Sequence, residues 1–188
     1  DMAVLAGDKL FIYAFEIAAK AFALTDRADL VGKAISILAN KAGIYGMIGG
    51  QSVDVEYTDR PVTKSQLEFI YELKTAALLE AAMMIGAVLA GADDNQVKAA
   101  EQIAHHVGMA FQIRDDILDV ISTTEELGKP VKSDEKNNKT TYVTIYGLDG
   151  ASKLVEEYSH TAMTLLDQVC PNASFLKRLF EYLIVRKK

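Results

Sequence analysis

The 188-residue sequence is acidic and rich in hydrophobic residues, and these two properties exclude several classes of protein. A formal net charge of −6 argues against binding nucleic acid through a basic surface. A hydrophobic content of 50%, only 3 Pro and no Trp predict a single all-α domain over residues 1–188. The charge-free apolar run over residues 81–92 is too short to span a bilayer, so it predicts a buried core helix.

The cysteine count and the first residues of the chain indicate the cellular compartment of the protein. Cys170 is the single cysteine and cannot form an intrachain disulfide, and the first residues do not form a signal peptide. Both features predict a cytoplasmic protein.

Hydrophobic periodicity predicts three helices in the first half of the chain. The first covers residues 2–20, and the second runs from about Asp26 to residue 56. Because the second helix contains glycines in its interior, it must be held by close packing. Residues 58–61 end this pattern, and Thr63 has the position of an N-cap for a third helix over residues 64–90.

The second half of the chain combines long helices with one irregular segment. Residues 91–96 predict a helix end followed by a new start, and a fourth helix covers residues 95–121. Residues 122–138 are polar and charged without periodicity, which predicts a mobile active-site loop. Two further helices are predicted at residues 148–168 and 173–187, with a break at Pro171.

The fourth helix carries an unusual cluster of negative charge in FQIRDDILDV. Asp115 and Asp119 are one turn apart on one helical face, and Gln112 lies on the same face. Like charges at this spacing repel unless a cation lies between them, and carboxylates so placed suit Mg²⁺. A solvated acidic face is the alternative, but the apolar residues around the aspartates favour a metal site.

Lysines elsewhere in the sequence could complement this acidic cluster. Lys129 and Lys139 lie in GKPVKSDEKNNKTTY, just after the acidic helix, and lysine is a compact charge for phosphate oxygens. Lys132 and Lys136, in the same segment, are better explained as solvated surface charges. Lys74 precedes a strongly apolar helical run, where it needs a partner or a ligand, or extends its amine to solvent.

Several ordered motifs together resemble the trans-isoprenyl diphosphate synthases, specifically the bacterial short-chain farnesyl and geranylgeranyl type. FQIRDDILD resembles that family's second aspartate-rich motif, and GKPVKSDEKNNKTTY resembles its loop, with Gly128, Lys129, Asp134, Lys139 and Tyr142 in register. LKTAAL resembles the lysine–threonine motif, GMIGGQSVDVE the GxxGGQxxD segment, and EYLIVRKK the basic C-terminal tail. The implied fold is the helical bundle of that family around a central cavity, of which this chain resembles the C-terminal two thirds.

The resemblance implies a role for each matching residue. Asp115 ligates Mg²⁺ directly. Asp116 and Asp119 hold metal-bound water or contact the groups that surround the metal, and Asp54 lies near the metals. The implied diphosphate-binding residues are Lys74, Lys139 and Lys129, and those lining the reacting end of the allylic chain are Thr75, Gln112 and Gln51. Taken alone, Gln51 and Asp54 are more often a packing pair than a site.

The sequence also departs from the family pattern. Val143 stands where many members have Pro, which alters the backbone of the loop rather than its chemistry. The family's first aspartate-rich motif precedes the segment matched by MAVLAGD, so we expect this chain to be a fragment with little or no activity by itself.

For the intact protein the resemblance implies a Mg²⁺-dependent prenyltransferase. It condenses an allylic diphosphate with isopentenyl diphosphate to make farnesyl or geranylgeranyl diphosphate, as a homodimer. Two alternatives remain. A terpene cyclase shares metal-assisted ionisation, but the lysine motifs argue against it. The other alternative is a non-catalytic helical subunit that serves as a diphosphate-binding scaffold.

Overall fold

A computed structural model describes residues 1–122 and 139–186, and these residues form α-helices joined by short turns, without a β-strand among them. The helices are α1 (Met2–Ala19), α2 (Ala28–Ala42), α3 (Met47–Glu56), α4 (Lys64–Tyr71), α5 (Ala77–Leu89), α6 (Asp94–Ile121), α7 (Tyr142–Val169) and α8 (Ser174–Val185). A short 3₁₀ turn, Lys20–Ala23, follows α1, and the π-helical turn Glu72–Ala76 joins α4 to α5. The predicted all-α class is confirmed. No helix within these described ranges is long and apolar enough to cross a bilayer.

Helix starts follow the capping residues in the sequence. Thr63 forms a capping box with Gln66 at the start of α4, as its predicted N-cap role requires. Asp93 forms the same reciprocal pair of hydrogen bonds with Gln96 at the start of α6. These side chains satisfy backbone N–H groups that have no partner within the helix.

The prediction of one continuous second helix over residues 26–56 is wrong. The structure divides it into α2 and α3, separated by turns at residues 43–46. Gly43 adopts an extended backbone (φ −81°, ψ −157°), and glycine lacks the side chain that would favour the helix there. Beyond the break, α3 packs against the π-helical turn.

The predicted start of the next-to-last helix at residue 148 also needs correction. α7 begins at Tyr142, but its first turn is separated from the rest by a kink at Gly147. Gly147 has φ +70°, a conformation that residues with a Cβ rarely adopt. The periodic pattern after the kink therefore predicted only the second part of this helix.

Helix α6 is the centre of the hydrophobic core. Its Met109, Ile113 and Ile117 pack with residues of α4 and α7 in one buried cluster. Nearer its start, Ile103 and Val107 pack with residues of α7 and α8 in a second cluster. The aspartate-rich segment therefore lies on the most extensively packed helix of the described structure.

A buried charge network joins α2, α5 and α6. Glu80 is only 6% exposed and accepts hydrogen bonds from Lys41 Nζ at 2.5 Å and His105 Nδ1 at 3.1 Å. Lys41 also contacts Glu101 at 2.5 Å. Burial alone raises the pKa of Glu80, but the hydrogen bonds from His105 and Lys41 outweigh burial and lower it. The hydrogen bond with Glu80 raises the pKa of His105 above its ordinary value of 6.5.

We predict that His105→Gln lowers the free energy of unfolding by about 1 kcal/mol at acidic pH, since His105 is partly exposed. A raised folded-state pKa means that this stabilisation is fully present below 6.5 and is lost as the pH rises through the folded pKa. Urea denaturation at about pH 5.5 and about pH 8.5 measures the difference between variant and unaltered protein.

The exposed His160 provides the control, because His160→Gln removes a histidine outside this network. Burial and, to a smaller extent, the charge of His105 lower the pKa of the neighbouring His106, so His105→Gln also removes a small repulsion at acidic pH that partly offsets the expected loss. An equal loss of stability at both pH values in His105→Gln would contradict the assignment.

Candidate active site

The residues singled out from the sequence lie on four segments, which are the π-helical turn and three segments near it. Gln51 and Asp54 come from α3, Lys74 and Thr75 from the π-helical turn itself, and Lys139 precedes α7. The fourth segment, α6, contributes Gln112, Asp115, Asp116 and Asp119. Lys129, Lys132, Lys136 and the predicted loop over residues 122–138 lie outside the described residues, apart from residue 122.

Two very close helix contacts position the π-helical turn. A Cβ atom built on Gly50 of α3 would lie 2.4 Å from the backbone nitrogen of Lys74. A Cβ atom on Gly108 of α6 would lie 2.6 Å from Cα of Ala76. Glycine at both positions lets α3 and α6 approach the turn from two sides. This packing sets where Lys74 and Thr75 lie relative to both helices.

Asp54 holds both described lysines of the predicted diphosphate site. Lys74 Nζ donates to Asp54 Oδ2 at 2.5 Å, and Lys139 Nζ lies 3.3 Å from Oδ1. Partial burial alone raises the pKa of Asp54, but the hydrogen bond from Lys74 and the charge of Lys139 outweigh it and lower the pKa. Two cations from distant parts of the sequence therefore meet at one carboxylate.

A second polar contact lies one residue further along the turn. The Thr75 hydroxyl donates to Gln112 Oε1 at 2.8 Å, so the π-helical turn is tied to α6 one turn before Asp115. Gln51 and Lys74 both line a cavity of about 610 Å³ whose other walls are Met47, Ile48, Ser52 and Val55. The largely apolar wall beside these polar groups is typical of a small-molecule site.

The three aspartates of α6 have different surroundings. Asp115 is 35% exposed and accepts a hydrogen bond from Arg186 at 3.1 Å. Asp116 is buried and accepts from the Tyr71 hydroxyl at 2.6 Å and from the Tyr142 backbone N–H at 3.1 Å. Asp119 is also buried, one turn beyond Asp115.

Sequence reasoning missed Arg186 and Tyr71 as residues of this site. Arg186 pairs with Asp115, and its guanidinium lies 3.8 Å from the ring centroid of Phe111. The only sequence signal for Arg186 was its place in the basic C-terminal tail. Tyr71 precedes Lys74 by three residues, and its hydrogen bond to Asp116 joins positions 45 residues apart, so no local pattern could reveal it.

The donor set suits Mg²⁺ only in combination with a phosphate ligand. Within residues 1–122 and 139–186, no group of three His, Cys, Asp or Glu side chains could hold a metal ion by itself. Mg²⁺ is usually held by one or two carboxylates plus water and substrate phosphate. Asp115 and Asp119, one turn apart on α6, fit that requirement as the protein half of such a site.

We predict that Gly50→Ala destabilises the protein by about 1–3 kcal/mol, because the new methyl group forces α3 away from the Lys74 backbone. Chemical denaturation measures the change in the free energy of unfolding. Gly86→Ala is the matched control, since a Cβ there meets nothing within 4 Å and alanine favours a helix. Equal stabilities for the two variants would contradict the close approach.

Comparison with known proteins identifies the sequence relatives of this chain. A sequence model of the family described as Polyprenyl synthetase matches residues 1–172. The chain is 37% identical over 185 residues, 98% of its length, to farnesyl diphosphate synthase of Geobacillus stearothermophilus. It is 42% identical over 157 residues, 83% of its length, to geranylgeranyl diphosphate synthase of Cyanophora paradoxa. The chain spans 62% and 52% of the lengths of these two relatives.

The fold of the chain is also similar to the folds of solved structures. A crystal structure of geranyltransferase from Helicobacter pylori complexed with magnesium and isoprenyl diphosphate has a TM-score of 0.82 and 33% identity to this chain. The match covers 97% of this chain and 59% of that one. Sequence and fold together show that the chain belongs to the polyprenyl synthetase family, as its motifs predicted.

Proposed function

We propose that the protein is a Mg²⁺-dependent prenyltransferase that condenses an allylic diphosphate with isopentenyl diphosphate to form farnesyl or geranylgeranyl diphosphate. The observation that carries the proposal is the convergence of Lys74 and Lys139 on Asp54. The names of the relatives, which are farnesyl and geranylgeranyl diphosphate synthases, support the substrate class.

Lys74 and Lys139 are the diphosphate-binding residues in this proposal. Their amines lie within ion-pair distance of the same carboxylate, so one diphosphate can contact both of them. Lysine suits this task because its ammonium is a compact charge with three donors. Lys129 is proposed as a third such group on the strength of its motif alone.

Asp115 is the proposed direct ligand of Mg²⁺, with Asp116, Asp119 and Asp54 supporting the metal-bound water around it. When bound, Mg²⁺ neutralises the charge that develops on the leaving diphosphate and so favours cleavage of the allylic C–O bond. The carboxylates of α6 would hold Mg²⁺ and the two lysines would contact the diphosphate directly, so both sets would bring positive charge to the leaving group.

Thr75, Gln112 and Gln51 are proposed to line the reacting end of the allylic chain. The Thr75–Gln112 hydrogen bond keeps both side chains oriented, so their dipoles need little reorganisation when charge develops. Met47, Ile48 and Val55 give the cavity beside Gln51 a largely apolar wall, which favours an allylic chain over the water that would capture its cation. The double bond of isopentenyl diphosphate attacks that cation, and the cation so formed loses a proton to the departed diphosphate.

We predict that the chain binds inorganic pyrophosphate only when Mg²⁺ is present, as measured by isothermal titration calorimetry. Lys74→Ala and Lys139→Ala each weaken this binding about tenfold or more, since each removes a charge-assisted contact. Lys33→Ala is the control, because Lys33 forms an exposed ion pair with Asp94 on a different surface. Equal affinities for all three variants would refute the proposed diphosphate site.

Activity of the 188-residue chain itself is a separate question. We expect little or no turnover of an allylic diphosphate with isopentenyl diphosphate, because the described carboxylates supply only part of a metal site. Product analysis with a sample of verified 20.5 kDa mass tests this expectation. Magnesium-dependent pyrophosphate binding without turnover supports the non-catalytic scaffold as a description of this chain.

A homodimer is the proposed assembly, and α1 supports it. None of the residues of α1 is buried, and Leu5, Leu10 and Ile12 are 60–68% exposed. Apolar surface of this kind on one helix usually marks an interface. The predicted cytoplasmic location has no test in the structure and stays a prediction.

Light scattering coupled to size-exclusion chromatography tests the assembly, with an expected mass of twice 20.5 kDa. Leu10→Lys should shift the protein towards the monomer, because it buries an unpaired charge in the interface. Leu89→Lys is the control, since Leu89 is an exposed leucine at the end of a different helix. A monomeric unaltered chain overturns this part of the proposal.

A further inference from the structure

One oxygen of the Asp116 carboxylate connects three parts of the chain. Oδ2 accepts from the Tyr71 hydroxyl on α4 and from the backbone N–H of Tyr142, the first residue of α7. Asp116 is 4% exposed and Tyr71 3% exposed, so both groups are removed from water. A buried carboxylate needs such donors to remain charged, and two of them share this oxygen.

The segment fastened by this contact is the one that carries Lys139. Lys139 precedes Tyr142 by three residues, and its ammonium faces Asp54. The Thr140 hydroxyl between them accepts from the Val62 backbone N–H at 3.4 Å, and Thr141 caps the start of α7. The Tyr142 ring packs on that of Tyr71, with centroids 5.2 Å apart.

We propose that Tyr71 is a positioning residue, which acts through Asp116 to hold residues 139–142 so that Lys139 faces Asp54. The claim that this placement serves diphosphate binding rests on the proposed function above. The placement itself depends only on the hydrogen bonds and ring contact of Tyr71, Asp116 and Tyr142.

This role gives the aspartate-rich motif a second task beside the proposed metal binding. Asp115 is partly exposed and is the carboxylate proposed to meet the metal. Asp116, the next residue, points a carboxylate oxygen to the Tyr71 phenol and the Tyr142 amide. Adjacent residues on a helix point about 100° apart, so one motif can serve the metal and the lysine segment together.

Tyr71→Phe tests the placement directly, because it removes one hydroxyl and retains every carboxylate and the ring contact. Amide hydrogen exchange in the 188-residue chain is the measurement. The Tyr142 amide and its neighbours in residues 139–145 should exchange about tenfold faster in the variant. Tyr45→Phe is the control, since Tyr45 is 73% exposed in the turn between α2 and α3 and should leave that segment unchanged.

Asp116→Asn provides a second variant that keeps an acceptor oxygen and the side-chain volume. It weakens the same two hydrogen bonds by removing their charge, so exchange in residues 139–145 should rise there too. Unchanged exchange of this segment in both variants overturns the proposal.

A double-mutant cycle tests whether the placement acts through Lys139. Tyr71→Phe should weaken binding of Mg²⁺ and inorganic pyrophosphate several-fold in the unaltered background and leave it unchanged in the Lys139→Ala background. A merely structural loss would weaken both backgrounds by the same factor, and that result overturns the role of Tyr71 in positioning Lys139.

Pyrophosphate binding tests the proposed function, and amide hydrogen exchange tests the positioning role of Tyr71, so the two can fail separately. Absence of pyrophosphate binding in the unaltered chain refutes the diphosphate site, while hydrogen exchange still decides whether Tyr71 and Asp116 hold residues 139–142.

Discussion

The candidate site depends on how closely α3 and α6 approach the π-helical turn. Glycine at positions 50 and 108 leaves room for backbone to pass where any side chain would collide with Lys74 or Ala76. The turn interrupts the helical register at the point where Lys74 and Thr75 must face two different neighbours, Asp54 and Gln112. Close packing on both sides is what holds this irregular backbone, and π-helical turns often occur at functional sites.

Charge balance is the second constraint on the architecture. Three of the buried or half-buried carboxylates within residues 1–122 and 139–186 have donors from other segments of the chain. Asp54 has two lysines, Asp116 has a phenol and an amide, and Glu80 has Lys41 and His105. The first network contains the two lysines of the proposed diphosphate site, whereas the third joins α2, α5 and α6. An isolated buried charge is costly, so these partners both stabilise the fold and set the positions of the functional groups.

Local signals predicted the helices well where the chain carries its own start and stop residues. The N-cap at Thr63 and the helix break after residue 90 depend on neighbours a few residues away, and both are present. The prediction failed at residues 43–46 because apolar periodicity continues through the glycines, and periodicity alone does not register a local break in the helix. Gly147 caused the wrong predicted start of α7. Its positive φ separates a first turn that is too short to show a periodic pattern.

The sequence by itself determined the all-α class, the family and the set of candidate residues, because residue type and spacing along a helix are local properties. Which of those residues meet was decided only by the tertiary structure. Asp54, Lys74 and Lys139 converge because α3 packs on the π-helical turn and the segment before α7 reaches Asp54. The contacts of Asp116 with Tyr71 and of Asp115 with Arg186 join residues 45 and 71 positions apart. No local pattern encodes such contacts, since they result from how the helices pack around α6.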